Sequence, residues 1–307
     1  MTASRQKKRG LPIRVYSNFD ENTGVVMAYR QALANGAVAV VGPLTRNGVA
    51  SLATEQDIPV PTLALNIVEA QPAPKLYYFG MSVESEARQA ALMASQLGLH
   101  QAIIITTHNP LSQRLQAAFE EAWSSNSEHG ILREIEFNDD PSVFADIADI
   151  TDTVVFLAAD ANKARLIHPY LSNKLPVFAT SQIFVGNDKT LTNYDLNGIR
   201  FVDMPWLLQP DHPAVMIYPR SSSQLSTDLE RLYALGIDAY RLIQVMISGK
   251  LGSTLPLDGV SGQIQLSSHT FQRTPVLAVF VQGRAQLIDA PATPAIPMFP
   301  EQVVPKR

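Results

Sequence analysis

Residues 38–49 read VAVVGPLTRNGV, an apolar run that breaks at Gly42 and Pro43 and continues as a short polar segment. The run is typical of a buried strand, and the polar segment favours a helix start near Asn47. Backbone N–H groups at a helix start can bind an anion in the space beyond the strand. Because Thr45 adds a hydroxyl beside them, this segment could hold a phosphate, a carboxylate or a sugar, or only water.

Polar side chains also follow the other predicted strands. Ligands of open α/β sheets bind at the carboxyl ends of parallel strands, so these positions are candidates for one binding site. The full set is Thr45, Arg46, Asn47, Asn66, His108, Asn109, Asp160, Ser181 and Gln182. Asn66 and Gln182 can each donate and accept a hydrogen bond, and Asp160 could bind an ammonium group. Together they would suit an amino-acid-like ligand.

Several of these candidates have an alternative, purely structural role. Thr45 or Asn47 could be the N-cap of the helix that begins there, and Asp160 could cap the helix that follows it. Arg46 could be a solvated loop charge. The sequence leaves both interpretations open, because a cap and a ligand-binding group use the same side chains at the same strand ends.

The motifs of common enzymes are missing from the sequence. It has no Cys, no G-x-G-x-x-G or Walker loop, and no G-x-S-x-G elbow. The six His residues are scattered, and none of them forms an i, i+4 zinc pair. Asp139 and Asp140 precede a Pro, which favours a cap and turn over paired catalytic carboxylates. We therefore predict a protein that is not an enzyme and uses no cofactor or metal.

Charge and hydropathy narrow the possible partners. The net charge of −4 disfavours nucleic acid, and no apolar run approaches the length of a membrane span. The basic cluster within residues 1–10 is expected to be a disordered tail, and the proline-rich residues 290–307 an extended one. This chain shows neither a signal peptide nor a lipid-carrying Cys.

Short apolar strands alternate with helices over the first half of the chain, which predicts parallel sheet covered on both faces. The predicted strands are Ile13–Ser17, 37–41, 60–65, Leu76–Phe79, 102–106, 131–137, 154–158 and Val177–Ala179; the helices are 23–33, 48–55, 86–97, 112–123 and 162–171. These are too many strands for one small sheet. We therefore predict an α/β protein with two doubly wound parallel-sheet lobes.

The second half differs in character. Residues 228–248 form one long helix that is apolar on nearly every side, which predicts burial. Residues 260–266 and 276–281 are expected to form antiparallel strands around a turn. The two Trp residues, Trp123 and Trp206, are predicted to lie in the core, although an exposed Trp would suit a partner surface.

Several segments together resemble the C-terminal domain of the penicillin-binding protein activator lipoproteins, the LppC family. They are GAVAVVGPLTRNGVASLA, YYFGMSVESEARQAA, TVVFLAADANKARLIHPYL, LPVFATSQIF, DLNGIRFVDMPWLL and ALGIDAYRL. The similarity runs in order from about residue 13 to about residue 285. The segment with Gly198 and Trp206 is its most specific part, whereas GPL after a strand occurs in many binding proteins.

This resemblance implies a type I periplasmic-binding-protein fold, with two lobes joined by a hinge. The chain would cross between the lobes near Met81–Val83, Asp203–Trp206 and Gly249–Leu257. The first lobe would hold residues 11–81 and 206–250, and the second 82–205 and 251–289. The family domain normally begins with one more strand and helix, which MTASRQKKRG does not supply, so the first lobe is expected to lack them.

The resemblance also implies a function. By this resemblance, the chain would be part of an outer-membrane lipoprotein. Such a lipoprotein reaches a bifunctional peptidoglycan synthase, a class A penicillin-binding protein, from the periplasm and stimulates it. The alternative with the same fold is a periplasmic solute-binding receptor of an ABC transporter, with a small ligand between its lobes. A fold alone does not separate these functions.

Overall fold

The computed structural model describes residues 12–17, 20, 23–147 and 150–288. These residues form two compact α/β units. Among the described residues, the first unit comprises 12–82 and 209–274, and the second comprises 83–208 and 275–288. The two predicted tails lie outside the described residues.

The regular elements follow one another in chain order. The helices are α1 (Thr23–Ala34), α2 (Arg46–Ala53), α3 (Val83–Gln96), α4 (Pro110–Trp123), α5 (Ala161–Ile167), α6 (Pro205–Leu208), α7 (Pro213–Met216), α8 (Thr227–Ile247) and α9 (Leu251–Thr254). The strands are β1 (Val40–Val41), β2 (Thr62–Ala64), β3 (Leu76–Phe79), β4 (Gln101–Thr107), β5 (Gly130–Phe137), β6 (Thr153–Leu157), β7 (Val177–Ala179), β8 (Arg200–Asp203), β9 (Leu257–Asp258), β10 (Gln263–Ser267), β11 (Thr270–Thr274), β12 (Val276–Val281) and β13 (Arg284–Leu287).

The sheet of the first unit has the strand order β1-β2-β3-β11-β10-β9. Strands β1, β2, β3 and β11 run parallel, and β10 pairs antiparallel with both β11 and β9. Alternate residues serve opposite faces. Leu63 and Phe79 pack in the cluster built on α8, while Ala64 and Tyr78 pack in the cluster of α1 and α2. The strands are therefore covered on both faces.

The sheet of the second unit has the strand order β13-β12-β8-β7-β6-β4-β5. Strands β4 to β8 run parallel, and β12 and β13 are antiparallel additions. Ile103 and Ile105 pack in the cluster that includes α5, and Ile104 in the cluster of α3 and α4. Phe156 stacks on Phe119 with ring centroids 4.2 Å apart. This sheet is likewise buried on both faces.

The predicted two-sheet α/β fold is confirmed, and so are most of its elements. Strands Leu76–Phe79 and Val177–Ala179 have the predicted limits, and the long helix runs from Thr227 to Ile247. Trp123 is 1% exposed and Trp206 is 0% exposed, as expected of core residues. Within the described ranges, no helix combines the length and the apolar character that a bilayer crossing requires.

The predicted strand Ile13–Ser17 is wrong, because residues 12–17 have no regular secondary structure. A strand needs a neighbouring edge to pair with, and residues 12–16 line a cavity together with β1 without pairing with it. Within this segment, the hydroxyl of Tyr16 accepts a hydrogen bond from Asn35 Nδ2 at 3.1 Å. An apolar pattern predicts a strand only where a partner strand lies within hydrogen-bonding reach.

The predicted pairing of residues 260–266 with 276–281 is also wrong. Strand β10 turns back at Ser268, whose φ is 53°, and pairs with β11. Strand β12 leaves that sheet and pairs with β8 of the other unit's sheet. Pro275 separates β11 from β12, and its missing N–H ends the first ladder at that residue.

The boundary of the units differs from the prediction as a consequence. The chain passes between the units at Ser82–Val83, at Leu208–Gln209 and at Thr274–Pro275. The last crossing is therefore not within Gly249–Leu257, and residues 251–274 belong to the first unit. Residues 206–208 belong to the second unit, because α6 contacts β12 and β13.

Candidate functional site

The loop after β1 is organised by Thr45, which is the N-cap of α2. Its backbone is extended, with φ −78° and ψ 149°, and its Oγ1 accepts a hydrogen bond from Gly48 N at 3.2 Å. A Cβ on Gly48 would lie 2.9 Å from that Oγ1 and 3.1 Å from Val25 Cγ2. The helix start is thus closely packed, and the Thr45 hydroxyl oxygen is engaged by its own helix.

Asn66 holds the same loop from the end of β2. Its Nδ2 donates to the carbonyl oxygen of Leu44 at 3.0 Å, and its Oδ1 accepts from Ile67 N at 3.0 Å. Arg46 and Asn47 are exposed in the first turn of α2. The structure therefore brings the four candidates of the first unit to one edge of its sheet, where Thr45 and Asn66 make local contacts.

In the second unit, Asn109 and Asp160 are both helix N-caps. Asn109 Oδ1 accepts from Leu111 N at 2.8 Å at the start of α4. Asp160 Oδ1 accepts from Asn162 N at 2.8 Å and from Lys163 N at 3.0 Å at the start of α5. For Asp160 this is the structural alternative given by the sequence, whereas the cap role of Asn109 was not predicted.

His108 and Gln182 differ in their surroundings at this edge. The His108 side chain is 90% exposed, and its Nδ1 lies 3.0 Å from Glu136 Oε1. Gln182 is half-buried beside the fully buried Ser181. Because β4, β6 and β7 are neighbours, their carboxyl ends bring the five candidates of the second unit to one edge.

The sequence analysis missed the buried carboxylate of Glu86. This residue is 3% exposed on α3, and its Oε2 accepts a hydrogen bond from Ser181 N at 3.0 Å. The contact ties α3 to the end of β7. A signal did exist, because Glu86 lies on the same helical stripe as the buried Gln89 and Ala90, three and four residues later.

Ser112 was missed as well. Its Oγ donates to the carbonyl oxygen of Ala158 at 2.5 Å and accepts from Thr107 N at 2.9 Å. It thereby joins the ends of β4 and β6 beneath α4. Ser112 is 3% exposed, so this hydroxyl fixes strand ends and is shielded from solvent.

Asp140 confirms the predicted cap and turn. It caps the short 3₁₀ helix Pro141–Phe144 and accepts hydrogen bonds from Ser142 N at 3.0 Å and Ser142 Oγ at 2.8 Å. These two bonds hold the pKa of Asp140 below its usual value. Its neighbour Asp139 forms an ion pair with Lys163. The two carboxylates thus have separate structural partners.

Two His residues that are far apart in sequence meet at the opposite, amino-terminal edge of the second sheet. The rings of His100 and His129 have centroids 5.8 Å apart. His129 Nδ1 lies 3.0 Å from the carbonyl oxygen of Trp123, and Nε2 lies 3.2 Å from Ser95 Oγ. His100 Nδ1 pairs with Asp152 Oδ1 at 2.9 Å. Within the described residues, no group of three or more potential ligands could hold a metal ion.

The carboxyl edges therefore supply helix caps, backbone clamps and a few exposed polar groups. Side-chain hydrogen bonds to nearby backbone stabilise a neighbouring turn in each of four cases, at Thr45, Asn66, Asn109 and Asp160. Polar side chains at the carboxyl ends of the strands therefore mainly stabilise the fold itself.

Comparison with known proteins identifies the family of this chain. The family model described as "LppC putative lipoprotein" matches residues 1–152 and 146–274. The penicillin-binding protein activator LpoA of Pectobacterium parmentieri is 28% identical over 282 residues, which cover 76% of this chain and 41% of that protein. The chain thus spans less than half the length of this curated relative.

Solved structures show the same fold. A Chromobacterium violaceum protein named for a branched-chain amino acid ABC transporter is 38% identical, covers 84% of this chain and 85% of its own, and superposes with a TM-score of 0.73. The LpoA C-domain of Haemophilus influenzae, named as a regulator of PBP1A, is 24% identical with 86% of each chain covered and a TM-score of 0.72. The fold is therefore that of type I periplasmic binding proteins, and the chain belongs to the LppC family.

Proposed function

We propose that this chain is a non-catalytic regulatory domain that binds a class A penicillin-binding protein and stimulates its synthesis of peptidoglycan. The observation that carries the proposal is the LppC match over most of the chain, together with relatives named as penicillin-binding protein activators. The domain would act in the periplasm, as part of a protein anchored to the outer membrane.

The geometry of the strand ends supports regulation over ligand capture. A receptor needs polar groups that are free to receive its ligand, because such groups fix a small molecule's orientation. Here the Thr45, Asn109 and Asp160 side chains already stabilise the starts of α2, α4 and α5. A docked protein would leave those caps intact.

The proposal is tested by mixing the purified chain with a purified class A penicillin-binding protein. We expect saturable binding by surface plasmon resonance and a higher rate of glycan polymerisation or cross-linking. The double variant Thr45→Ser, Asn66→Ala serves as the control, since Ser preserves the cap, and it should retain binding. Failure of a folded sample to bind or to stimulate several class A synthases would contradict the proposal.

A solute receptor is the second candidate, favoured by the 38% identity to the Chromobacterium violaceum protein. This reading predicts that an amino acid raises the melting temperature in a dose-dependent way through mass action. The same double variant should then lose that response. A flat response to the common amino acids and short peptides, in a chain that binds a synthase, would exclude the receptor function.

A further inference from the structure

His100 and His129 lie side by side at the amino-terminal edge of the second sheet. They immediately precede β4 and β5, whose parallel register aligns Gln101 with Gly130. Because each His precedes its strand by one residue, the two side chains emerge on the same face of the sheet. This face carries α3 and α4, since Ala102 packs in their cluster. The two rings have centroids 5.8 Å apart and planes inclined by 58°.

The hydrogen bonds of His129 determine which of its ring nitrogens carries the proton. Its Nδ1 lies 3.0 Å from the carbonyl oxygen of Trp123, which can only accept, so Nδ1–H is the donor. Its Nε2 lies 3.2 Å from Ser95 Oγ and 3.4 Å from Asn126 Nδ2, and both groups can donate. The neutral ring therefore has its lone pair at Nε2. Both distances exceed the usual hydrogen-bond length, so a metal ion can replace these donors.

His100 has the same arrangement of its two nitrogens. Its Nδ1 lies 2.9 and 3.0 Å from the two carboxylate oxygens of Asp152, and its backbone N donates to Oδ1 at 2.9 Å. An ionised carboxylate only accepts, so Nδ1 carries the proton and the lone pair of the neutral ring is at Nε2. Among the described residues, this Nε2 has no hydrogen-bond partner. The side chain is 42% exposed, so an ion can reach it from solvent.

This pattern is typical of His residues that bind metal ions. Such residues donate their second N–H to a carboxylate or a backbone carbonyl, which fixes the tautomer and the ring orientation. With a metal–nitrogen bond of about 2.1 Å, each ring centre lies about 3.2 Å from an ion in the ring plane. Centroids 5.8 Å apart then correspond to an N–metal–N angle of about 130°, which a small rotation of either ring brings to the tetrahedral value.

The surrounding charges also favour a cation. Helices α3 and α4 both end beside the pair, and the carboxyl end of a helix carries a partial negative charge. Neither helix has a basic residue in its last turn to offset that charge. Asp152 adds a carboxylate, whose side chain is 45% exposed. A positive ion between the rings would therefore be stabilised from several sides.

We propose that His100 and His129 form a binding site for a divalent transition-metal ion of the class that prefers imidazole, namely Cu²⁺, Ni²⁺ or Zn²⁺. The two Nε2 atoms are the protein ligands, and solvent oxygen completes the coordination. Asp152 and the carbonyl group of Trp123 are positioning groups. With two protein ligands, the site is more open than the three- and four-ligand sites of catalytic and structural zinc. This inference is independent of the proposed regulation of a synthase.

The sequence analysis expected no metal because it found no i, i+4 pair of His residues. That spacing places two ligands on one helix, whereas these two precede neighbouring parallel strands. Mg²⁺ and Ca²⁺ fit less well, since they prefer oxygen ligands and the pair offers nitrogen.

The test titrates Cu²⁺ into the full chain, prepared without a His tag and treated with EDTA, and follows tryptophan fluorescence. Trp123 stacks on His129 with ring centroids 4.1 Å apart, so bound Cu²⁺ should quench it. Trp206 is the only other Trp, so about half of the emission should be lost, and EDTA should restore it. We expect one ion per chain by calorimetry and two nitrogen ligands in the electron paramagnetic resonance spectrum. Ni²⁺ should bind more weakly than Cu²⁺, and Mg²⁺ should not quench.

Three variants test the assignment of the ligands. His100→Gln should weaken Cu²⁺ binding at least tenfold and leave one nitrogen in the resonance spectrum. Asp152→Asn tests the positioning role and should weaken binding about tenfold; Asn tolerates the φ of 65° at this position. His108→Gln is the matched control, because His108 also pairs with a carboxylate through Nδ1 but lies at the opposite end of β4. It should leave binding unchanged.

Several outcomes would overturn the proposal. Absence of saturable quenching in a folded sample would show that the two His residues only form hydrogen bonds at this edge. Unchanged binding by a folded His100→Gln variant would assign the ion to His129 alone or to another site. A loss of binding in His108→Gln would place the ion at the opposite edge of the sheet.

Discussion

The two sheets of this protein differ most at their free edges. Edge strand β5 of the second unit reads GILREIEF, with Ile135 and Phe137 buried and Arg133, Glu134 and Glu136 exposed. It also has an irregular register near Ala102 and Ile103 of its neighbour. Edge strand β1 of the first unit is apolar and borders a cavity.

This difference lies in how strongly each edge strand is protected against pairing with another strand. Charges and a bulge on β5 discourage further pairing, because each makes the addition of a strand unfavourable. Strand β1 has neither device and keeps its outer N–H and C=O groups directed toward a largely apolar cavity.

The units also differ in what fixes their central helices. In the second unit, the core of α4 rests on stacked aromatic rings, with Phe119 against both Trp123 and Phe156. In the first unit, α8 lines the cavity beside β1 and is attached through the buried carboxylate of Asp238. That carboxylate accepts from Val260 N at 3.2 Å, Ser261 N at 2.7 Å and Ser261 Oγ at 2.7 Å.

The largest effect is expected from Phe156→Ala in the second unit. Phe156 is 0% exposed, and its removal leaves a cavity against Phe119, so the free energy of unfolding should fall by about 4 kcal/mol. Urea denaturation followed by circular dichroism measures this change. The exposed Leu132→Ala is the control, and a loss below about 1 kcal/mol for Phe156→Ala would contradict the aromatic core described here.

Asp238→Asn should destabilise the first unit by about 3 kcal/mol, because one amide nitrogen would meet N–H donors and the pair with Arg241 would be lost. Burial raises the pKa of Asp238, opposed by Arg241 and by its hydrogen bonds. Asp228→Asn is the matched control on the same helix. It also pairs with an Arg three residues later, but its side chain is 85% exposed, so chemical denaturation should show a loss below about 1 kcal/mol.

His168→Gln tests the pH response of the second unit. Burial lowers the pKa of His168, whose Nδ1–H donates to the carbonyl oxygen of Asp195 at 2.7 Å. The pKa of His168 is therefore lower in the folded state than in the unfolded state. Neutral His168 contributes fully to the stability of the fold above about pH 6.5, and this contribution is lost as the pH falls through the folded-state pKa. Between about pH 7 and pH 5, the melting temperature of the variant should therefore fall less steeply than that of the native chain. An unchanged or steeper decline would contradict this assignment.

The smallest effect on stability is expected from Val41→Lys. The side chain is 44% exposed on the outer edge, so the free energy of unfolding should change by less than about 0.5 kcal/mol. Urea denaturation of the variant beside the native chain measures this change. A large loss of stability would show that β1 is not an edge, and would remove the contrast with β5.

Much of the fold could be predicted from sequence because its elements are strongly patterned. Apolar runs located the strands, and capping residues located the helix starts, with Asp160 and Asp140 in the predicted cap roles. The pairing of β10 and β12 could not be predicted, since both are short strands near turns. Strand β10 pairs with β11, and β12, which follows Pro275, pairs with β8. The second pairing joins residues that are distant in sequence.

For the candidate site too, one part could be predicted from the sequence and another could not. The polar residues at strand ends were identifiable by type, but their present partners were not. The sequence gives no sign that Glu86 accepts from Ser181, 95 residues away. Nor does it bring His100 near His129, because that proximity requires β4 and β5 to start side by side.

The sequence by itself predicted a strand ending at Val41, a long buried helix over about residues 228–248, and polar caps after the strands, and the structure has β1 at Val40–Val41 and the helix at Thr227–Ile247. These properties are local, because they arise from side-chain periodicity and from hydrogen bonds to nearby backbone. Only the tertiary structure decided that β1 is the terminal strand of its described sheet and that it borders a largely apolar cavity. Position within a sheet depends on which other strands are present to pair, and no single strand carries that information.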